Sequence, residues 1–519
     1  MKKFLVIFFS CVLTLPLFAQ DSIRQNLGPN INTKYDDIGP ILSPDGKTIY
    51  FVTQGHPSNT KSRYYDDAED IWSSELDSLG RWTKAKHLSK PFNLRRYNSI
   101  ECISPDGNII YIRGGYQNGE YVGSGFSYIL KVKSGWSEPE QLDIPYFTVM
   151  SEGAYTSLYV CPDGKTLLLS FSKYPIRKNY KNIDKDEIND LYVCFKTGPN
   201  KWSKPQAIKS LNTKMYTEST PFIAADNKTL YFSSDRPGGK GSRDIWMTKR
   251  IDDTWLNWST PINMDDNINT PGWDAYYALD AKGEYAYMVT NRSGFGLSDI
   301  VRIKLKASER PTPVVLVKGK VLNSKTNQPI SANITYNSLT TGKEIGQAIS
   351  DPITGSYKMV LPYGTQYSFN ANGINYIPVS NNIDLTTVAE YKEIKQDLLL
   401  VPIEVGQTIQ LTNIFFDMSK STLREESIVE LNRLYGLLDS NPTMEIEIDG
   451  HTDNVGEPAL NMQLSLDRAT AVKNYLTEKG IGENRILVKG FGSTKPLANN
   501  DSEDSKKMNR RVEFVILKL

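Results

Sequence analysis

At about 150 residues per domain, a chain of 519 residues predicts three or four domains rather than one core. Hydrophobic residues make up 39% and charged residues 23%, the balance of a globular chain and not of a disordered or fibrous one. Lys and Arg total 60 against 59 Asp and Glu, which argues against nucleic acid as the main partner, and three widely separated histidines (His56, His87, His451) give no metal-ligand spacing.

The chain opens with Met1-Lys2-Lys3, an apolar run from Phe4 to Phe18, and Ala19-Gln20-Asp21. A positive start, an apolar stretch of secretory length and a small residue for cleavage predict a signal peptide over residues 1–19. That run falls short of the ~20 residues that span a bilayer, and no later stretch approaches it, so an exported chain without a direct membrane span is expected. Cys11 raises lipidation as an alternative, although the apolar run continues beyond it. Cleavage leaves Cys102, Cys161 and Cys194, an odd number, which read as small buried hydrophobes rather than a disulfide framework.

A repeat of ~60 residues fills the next three hundred. Ser43-Pro44-Asp45-Gly46-Lys47-Thr48 returns as Ser104-Pro105-Asp106-Gly107, Cys161-Pro162-Asp163-Gly164-Lys165-Thr166, Ala225-Asp226-Asn227-Lys228-Thr229 and, degraded, Asp280-Ala281-Lys282-Gly283. Each predicts a tight hairpin, because Gly and Asn tolerate positive φ. A second signature follows each copy (Asp70-Ile71-Trp72, Tyr128-Ile129-Leu130, Asp190-Leu191-Tyr192, Asp244-Ile245-Trp246, Asp299-Ile300-Val301), and Trp82, Trp136, Trp202 and Trp258 close four of the five units. Each unit reads as about four short strands unable to bury both faces alone, which predicts radial packing with an N-terminal strand closing the ring.

These motifs resemble the PD40, or WD40-like, repeats of TolB-type propellers, and the resemblance implies an all-β propeller of about five blades over residues 20–306. The repeated Asp, Trp and Tyr are expected to be turn and packing residues. The insertions Gln54–Glu69, with Arg63-Tyr64-Tyr65, and Ser172–Glu187, with Tyr174, Arg177 and Tyr180, are the better contact loops, against a reading as plain solvated loops. Arg310-Pro311-Thr312-Pro313 predicts a semi-rigid linker at 307–315. Residues 316–402 alternate with period two between short turns, as in Val317–Leu322 and Tyr357–Gly364. They predict a small β-sandwich and resemble the carboxypeptidase regulatory-like, transthyretin-like domain.

From Glu404 the periodicity changes, and residues 403–519 predict an α/β module of order βαβαββ. Ile414–Asp417 reads as its first strand, and Thr422 to Glu425 as a capping box opening a helix through Ile428, Leu431, Leu434 and Leu438. Met444, Ile446 and Ile448 alternate with Glu445 and Glu447 in a strand ending at Gly450-His451-Thr452-Asp453. A second helix through Leu464, Arg468, Val472 and Leu476 precedes strands at Arg485–Gly490 and Arg510–Val515.

Gly450-His451-Thr452-Asp453-Asn454-Val455-Gly456, Leu464-Ser465-Leu466-Asp467-Arg468-Ala469, Gly490-Phe491-Gly492 and Asn509-Arg510-Arg511-Val512 resemble the OmpA-like peptidoglycan-binding domain. The resemblance implies that Asp453 and Arg468 clamp the free end of meso-diaminopimelate in the stem peptide. That end carries an ammonium and a carboxylate on one carbon, so one anion and one guanidinium fork would match it. The alternative is a structural Asp453–Arg468 ion pair with Asp453 capping the helix. Thr452, Asn461 and Arg510 are further candidates, and Asn461, Ser465 and Arg468 share a helix face if the helix is continuous. No nucleophile–base pair is legible near His451, so binding without turnover is expected, with no catalytic residue, cofactor or metal.

The reading is a multidomain periplasmic protein, peptidoglycan- and outer-membrane-associated. It would hold peptidoglycan by its C-terminal module and present a propeller to an envelope protein partner. The domain order resembles accessory subunits of type IX secretion, whose helical repeat domain and lipid anchor are not legible here. The alternative is an envelope enzyme or glycan-binding protein with its site in the propeller channel.

Overall fold

The computed structural model describes residues 24–60, 66–151, 155–173, 188–291, 296–388, 390–417 and 420–519. The segment predicted as a signal peptide, with Cys11, the loop residues Arg63, Tyr64 and Tyr65, and Tyr174, Arg177 and Tyr180 lie outside the described residues. The protein is a mostly β-stranded multidomain chain of several small sheets, and among the described residues none closes into a barrel. No helix among them is long and apolar enough to cross a membrane.

Each repeat forms one small antiparallel sheet whose first three strands are joined in sequence order. The first strands are Asp36–Leu42, Ile100–Ile103, Ser157–Val160, Glu218–Ile223 and Asp274–Leu279. Each touches the next, and the fifth touches the first. The N-terminal strand Arg24–Asn26 pairs with Asp299–Lys304 and so supplies the outer strand of the fifth sheet. Buried aliphatic and aromatic side chains fill the spaces between sheets, among them Leu168, Val193, Leu230 and Phe232, with the repeat tryptophans Trp82, Trp202 and Trp258 buried as well. Cys102, Cys161 and Cys194 are buried free thiols, and burial raises their pKa values.

The repeat turns have one construction. Gly46, Gly107, Gly164, Asn227 and Gly283 take φ between +55° and +80°, the left-handed region that Gly and Asn occupy at least cost. The aspartate Oδ1 accepts backbone N–H groups of the residues that follow, from Lys228 and Thr229 at 2.9 and 2.8 Å in the case of Asp226. The turn therefore satisfies its own donors and leaves the second carboxylate oxygen for other partners.

For Asp106 and Asp226 those partners lie in the sandwich or in the linker before it. Its two sheets are built on Val314–Asn323 and on Asn333–Ser338, and enclose Val315, Val317, Ile334, Phe369 and Leu398. Asp106 Oδ2 accepts from Ile349 N at 2.6 Å and Asp226 Oδ2 from Thr312 N at 2.9 Å. Lys131 pairs with Asp351 at 2.6 Å and Lys358 with Asp45 at 3.1 Å. At its far end Ile377 enters the hydrophobic core of the C-terminal module, and Arg433 Nη1 donates to Ser380 Oγ at 2.5 Å.

The C-terminal sheet has the order Thr408–Leu411, Val512–Lys518, Glu445–Gly450, Ile486–Gly490, with only the last pair parallel. Met444, Ile446 and Ile448 are fully buried, and Leu431, Leu434 and Leu438 of the Ile428–Ser440 helix meet Ala469, Val472 and Leu476 of the Pro458–Glu478 helix over them. Arg485 closes the first helix by donating to the carbonyls of Leu438 and Asn441 at 2.8 and 2.7 Å.

Two details correct the sequence expectation. The first strand is Thr408–Leu411, and Ile414–Asp417 contributes only an isolated bridge between Phe416 and Leu423. Thr422 and Glu425 form no capping box, because Glu425–Ser427 is a 3₁₀ turn and the helix starts at Ile428. Ser427 Oγ instead accepts from Phe415 N at 2.8 Å, tying the incoming chain to the helix. A short helix, Glu503–Asn509, opened by a Ser502–Ser505 capping box, precedes the last strand and was not expected.

Three carboxyls at the starts of inner strands each accept a backbone N–H and a hydroxyl from one upstream threonine: Asp37 from Thr33, Glu218 from Thr213, Asp274 from Thr270. Burial outweighs these bonds and pushes their pKa values up to about 6, about 7 and about 6. The folded state then holds protons that the unfolded chain has lost, so stability rises as pH falls from 7 towards 5. His56, lowered by burial, opposes this with a single charge, and Glu513, pulled to about 2, acts only below pH ~4.5. Thermal melts should show a Tm several degrees higher at pH 5 than at pH 7, and Asp37→Asn should shrink the difference. A Tm that falls between these pH values contradicts the assignment.

Candidate functional site

The segment after Gly450 is held between two neighbouring chain crossings. His451 N donates to Arg511 O, Thr452 N to Gly492 O and Phe491 N to Gly450 O, all at 2.9 Å. The Pro458–Glu478 helix, with Pro at its first turn, lies directly against these strand ends. A Cβ on Gly450 would fall 2.0 Å from Ser465 O, and one on Gly490 2.6 Å from Leu466 N. Only glycine lets backbone and helix approach this closely. Ser465 Oγ completes the seam by accepting from Gly492 N at 2.9 Å.

That approach brings three charged side chains together. Asp453 Oδ1 accepts from Val455 N at 3.0 Å and Oδ2 from Arg510 Nη1 at 2.7 Å, and Arg510 Nη2 reaches Glu503 at 2.6 Å. The hydrogen bond from Asp453 raises the Arg510 pKa. Arg468 stands on the helix with its guanidinium 5.0 Å from the centre of the Phe416 ring, and its Nε donates to Lys420 O at 3.1 Å. Burial lowers its pKa, the nearby Arg510 lowers it further, and Asp453 opposes both. Among the described residues, neither terminal nitrogen of Arg468 has a hydrogen-bond partner.

The five candidate residues thus fall into two groups. Asp453, Arg468 and Arg510 form one electrostatic cluster. Thr452, 5% exposed, spends its hydroxyl on Asp453 O, and Asn461, 7% exposed, donates to Val455 O at 3.0 Å, so both hold the loop. The helix is continuous from Asn461 through Ser465 to Arg468. The ion pair of Asp453 is with Arg510 and not with Arg468, as the structural alternative would have had it. Phe416, Glu503 and the carbonyl of Lys420 complete the cluster, and no local sequence signal marks them.

Behind the loop, His451 is buried and stacked on Phe491 at 5.3 Å, with Nε2 3.1 Å from Glu513 Oε1. Arg511 Nε donates to Glu513 Oε2 at 2.8 Å. Burial would raise the Glu513 pKa, but the bonds from His451 and Arg511 pull it down to about 2. Arg510 and Arg511 therefore serve opposite sides, one the exposed cluster and the other the buried support.

Residues 415–510 match the OmpA family. The chain is 32% identical over 165 residues to the peptidoglycan-associated lipoprotein of Buchnera aphidicola, covering 30% of this chain and 90% of that one. It is 41% identical over 103 residues to outer membrane protein A of Bordetella avium, covering 20% and 53%. With outer membrane porin F of Pseudomonas fluorescens it shares 34% over 110 residues, 21% and 34% of the two chains. The chain thus spans about half or less of the length of the last two. The crystal structure of the peptidoglycan-associated lipoprotein from Burkholderia pseudomallei is 30% identical, with a TM-score of 0.19, over 20% of this chain and 87% of that one. Through its C-terminal residues, the chain belongs to the OmpA family.

Proposed function

We propose that residues 403–519 bind the peptidoglycan stem peptide at meso-diaminopimelate and that the chain is a non-enzymatic protein of the periplasm, associated with wall and outer membrane. The observation that carries this reading is the Arg468 fork, held 5.0 Å from the centre of the Phe416 ring with both terminal nitrogens unpartnered among the described residues. A carboxylate of the ligand would take that fork in two parallel bonds. The ammonium on the same carbon would meet Asp453, whose carboxylate has acceptor capacity beyond its bonds to Val455 and Arg510. Thr452 and Asn461 keep the loop in place. The peptidoglycan association named for the Buchnera relative agrees with this reading.

The rest of the chain is read as a five-bladed propeller of PD40 type over residues 20–306, a linker at 307–315 and a sandwich at 316–402. The cyclic contacts of the five first strands and the N-terminal strand in the fifth sheet support the propeller. Its role would be to present a surface to a protein partner in an envelope or secretion complex. Many weak stem-peptide contacts would hold it persistently, because the wall offers identical ligands at high local concentration.

The full chain should co-sediment with sacculi of the meso-diaminopimelate type and much less with sacculi whose stem peptides carry lysine, which lacks the second carboxylate. Arg468→Ala and Asp453→Ala should each weaken that binding by tenfold or more with unchanged circular dichroism, since each strands one ligand charge. Arg468→Lys should recover only part of it, the fork being lost. Equal sedimentation of all variants refutes the site. Gly450→Ala tests the seam separately. By pushing the helix from the strand end it should cost about 1–3 kcal/mol of stability and weaken sedimentation with Asp453 and Arg468 intact.

A further inference from the structure

A cavity of about 550 Å³ lies between the first strands of the five sheets, within the size range of small-molecule sites. Ile41, Tyr159 and Phe222 line both this cavity and a smaller space of about 130 Å³ towards the linker residues Pro311 and Pro313, so they divide the two. The Tyr159 and Phe222 rings meet edge to face at 5.1 Å in that floor. The cavity is therefore blind at the sandwich end.

Two guanidiniums line it, those of Arg113 and Arg243. Arg113 gives its Nε to Glu101 at 3.3 Å, and its terminal nitrogens have no hydrogen-bond partner among the described residues. The Arg243 side chain has neither a hydrogen bond nor an ion pair among them. All these unpaired nitrogens keep accessible surface, and the Arg113 side chain is 36% exposed in the cavity wall. The Tyr276 hydroxyl is likewise accessible and unpartnered among the described residues. Burial raises its pKa while the charges of Arg113 and Arg243 pull against that, so both stand near it. Tyr276 sits in a register break between Ala275 and Ala278 with φ of +56°, a bulge of the kind that re-aims a side chain.

The carboxylates of the lining already have donors. Glu101 accepts from Arg113 and from Leu158 N at 3.2 Å, and the exposed Asp235 accepts from Thr217 N at 2.7 Å. Glu69 also acts on Arg113, which leaves Arg243 as the cation without a carboxylate. A guanidinium donates and never accepts, and a carboxylate taken in two parallel bonds is its strongest match. A blind floor admits the end of a chain rather than its middle. Of the two ends of a polypeptide, the carboxylate answers free donors and the ammonium does not. The accessible, unpartnered Thr156 hydroxyl and the Trp273 and Tyr276 rings, edge to face at 5.7 Å, offer contacts to the residues that follow the carboxylate inwards.

We propose that this cavity takes the C-terminal end of a polypeptide, its carboxylate on the Arg243 fork beside Tyr276 and Arg113. The proposal rests on the reading of the five sheets as a partner-presenting ring and names the part of the partner that enters it. Titration of the full chain with N-acetyl-trialanine should give a Kd of about 1 mM or tighter, with its C-terminal amide at least about tenfold weaker. Propionate, a carboxylate without a chain, should also bind at least about tenfold more weakly. Arg243→Gln should weaken the tripeptide about tenfold with unchanged Tm, because no bond of the folded chain is lost, and Tyr276→Phe about fivefold. Arg468→Ala should keep tripeptide binding, and Arg243→Gln should keep sedimentation with sacculi, so either site can fail alone. No tripeptide binding up to about 10 mM, equal binding of acid and amide, propionate as tight as the tripeptide, or undiminished affinity in Arg243→Gln each overturns the proposal. An envelope protein cross-linked equally to the wild type and to Arg243→Gln leaves the partner-presenting reading standing and refutes this mode of entry.

Discussion

An aspartate that caps its own hairpin turn organises most of this chain. One carboxylate oxygen satisfies the turn's backbone donors, and the residue at positive φ lets the strand reverse within four or five residues. The second oxygen accepts from a neighbour, alongside the turn's own threonine hydroxyl in Asp163 and Asp226. In Asp106 and Asp226 that neighbour is a backbone N–H of the sandwich or its linker. The same repeated residue thus makes the sheets and gives them a surface on which the next module sits. Because Asp106 and Asp226 are each hydrogen-bonded on both oxygens, the contact is specific without needing a large apolar interface.

The C-terminal cluster depends on a different constraint, the near-contact of helix and strand ends at Gly450, Gly490 and Ser465. It brings a loop carboxylate, a helix guanidinium and the arginine before the last strand into one electrostatic neighbourhood. The buried His451–Glu513–Arg511 group supports the loop from behind, so the clustered charges stand on a base already hydrogen-bonded. Preorganisation of this kind lowers the ordering cost of binding.

Much of this was legible in the chain, for local reasons. Asp-Gly turns announce themselves because few residues accept positive φ, and the alternation of Met444, Ile446 and Ile448 with glutamates fixes which face of that strand is buried. The first C-terminal strand was misplaced because Ile414-Phe415-Phe416 has the apolar composition of a strand while its partner strand is filled by Thr408–Leu411, four residues whose pattern alone is weak. The Arg510–Asp453 pair escaped notice because it joins residues 57 apart through a turn geometry no local pattern encodes. Likewise Phe416 becomes the platform for Arg468 only once the chain before the first helix is folded back by Ser427.

Ile377 belongs by sequence to the sandwich yet lies, 1% exposed, in the core of the module that follows. Arg433, on a helix of that module, reaches back to Ser380. The junction is therefore interlocked rather than hinged, and swinging one body on the other would first have to pull an isoleucine out of oil. With the repeat turns pinned to the sandwich as well, a tug at the C-terminal module travels through the molecule as through a strut.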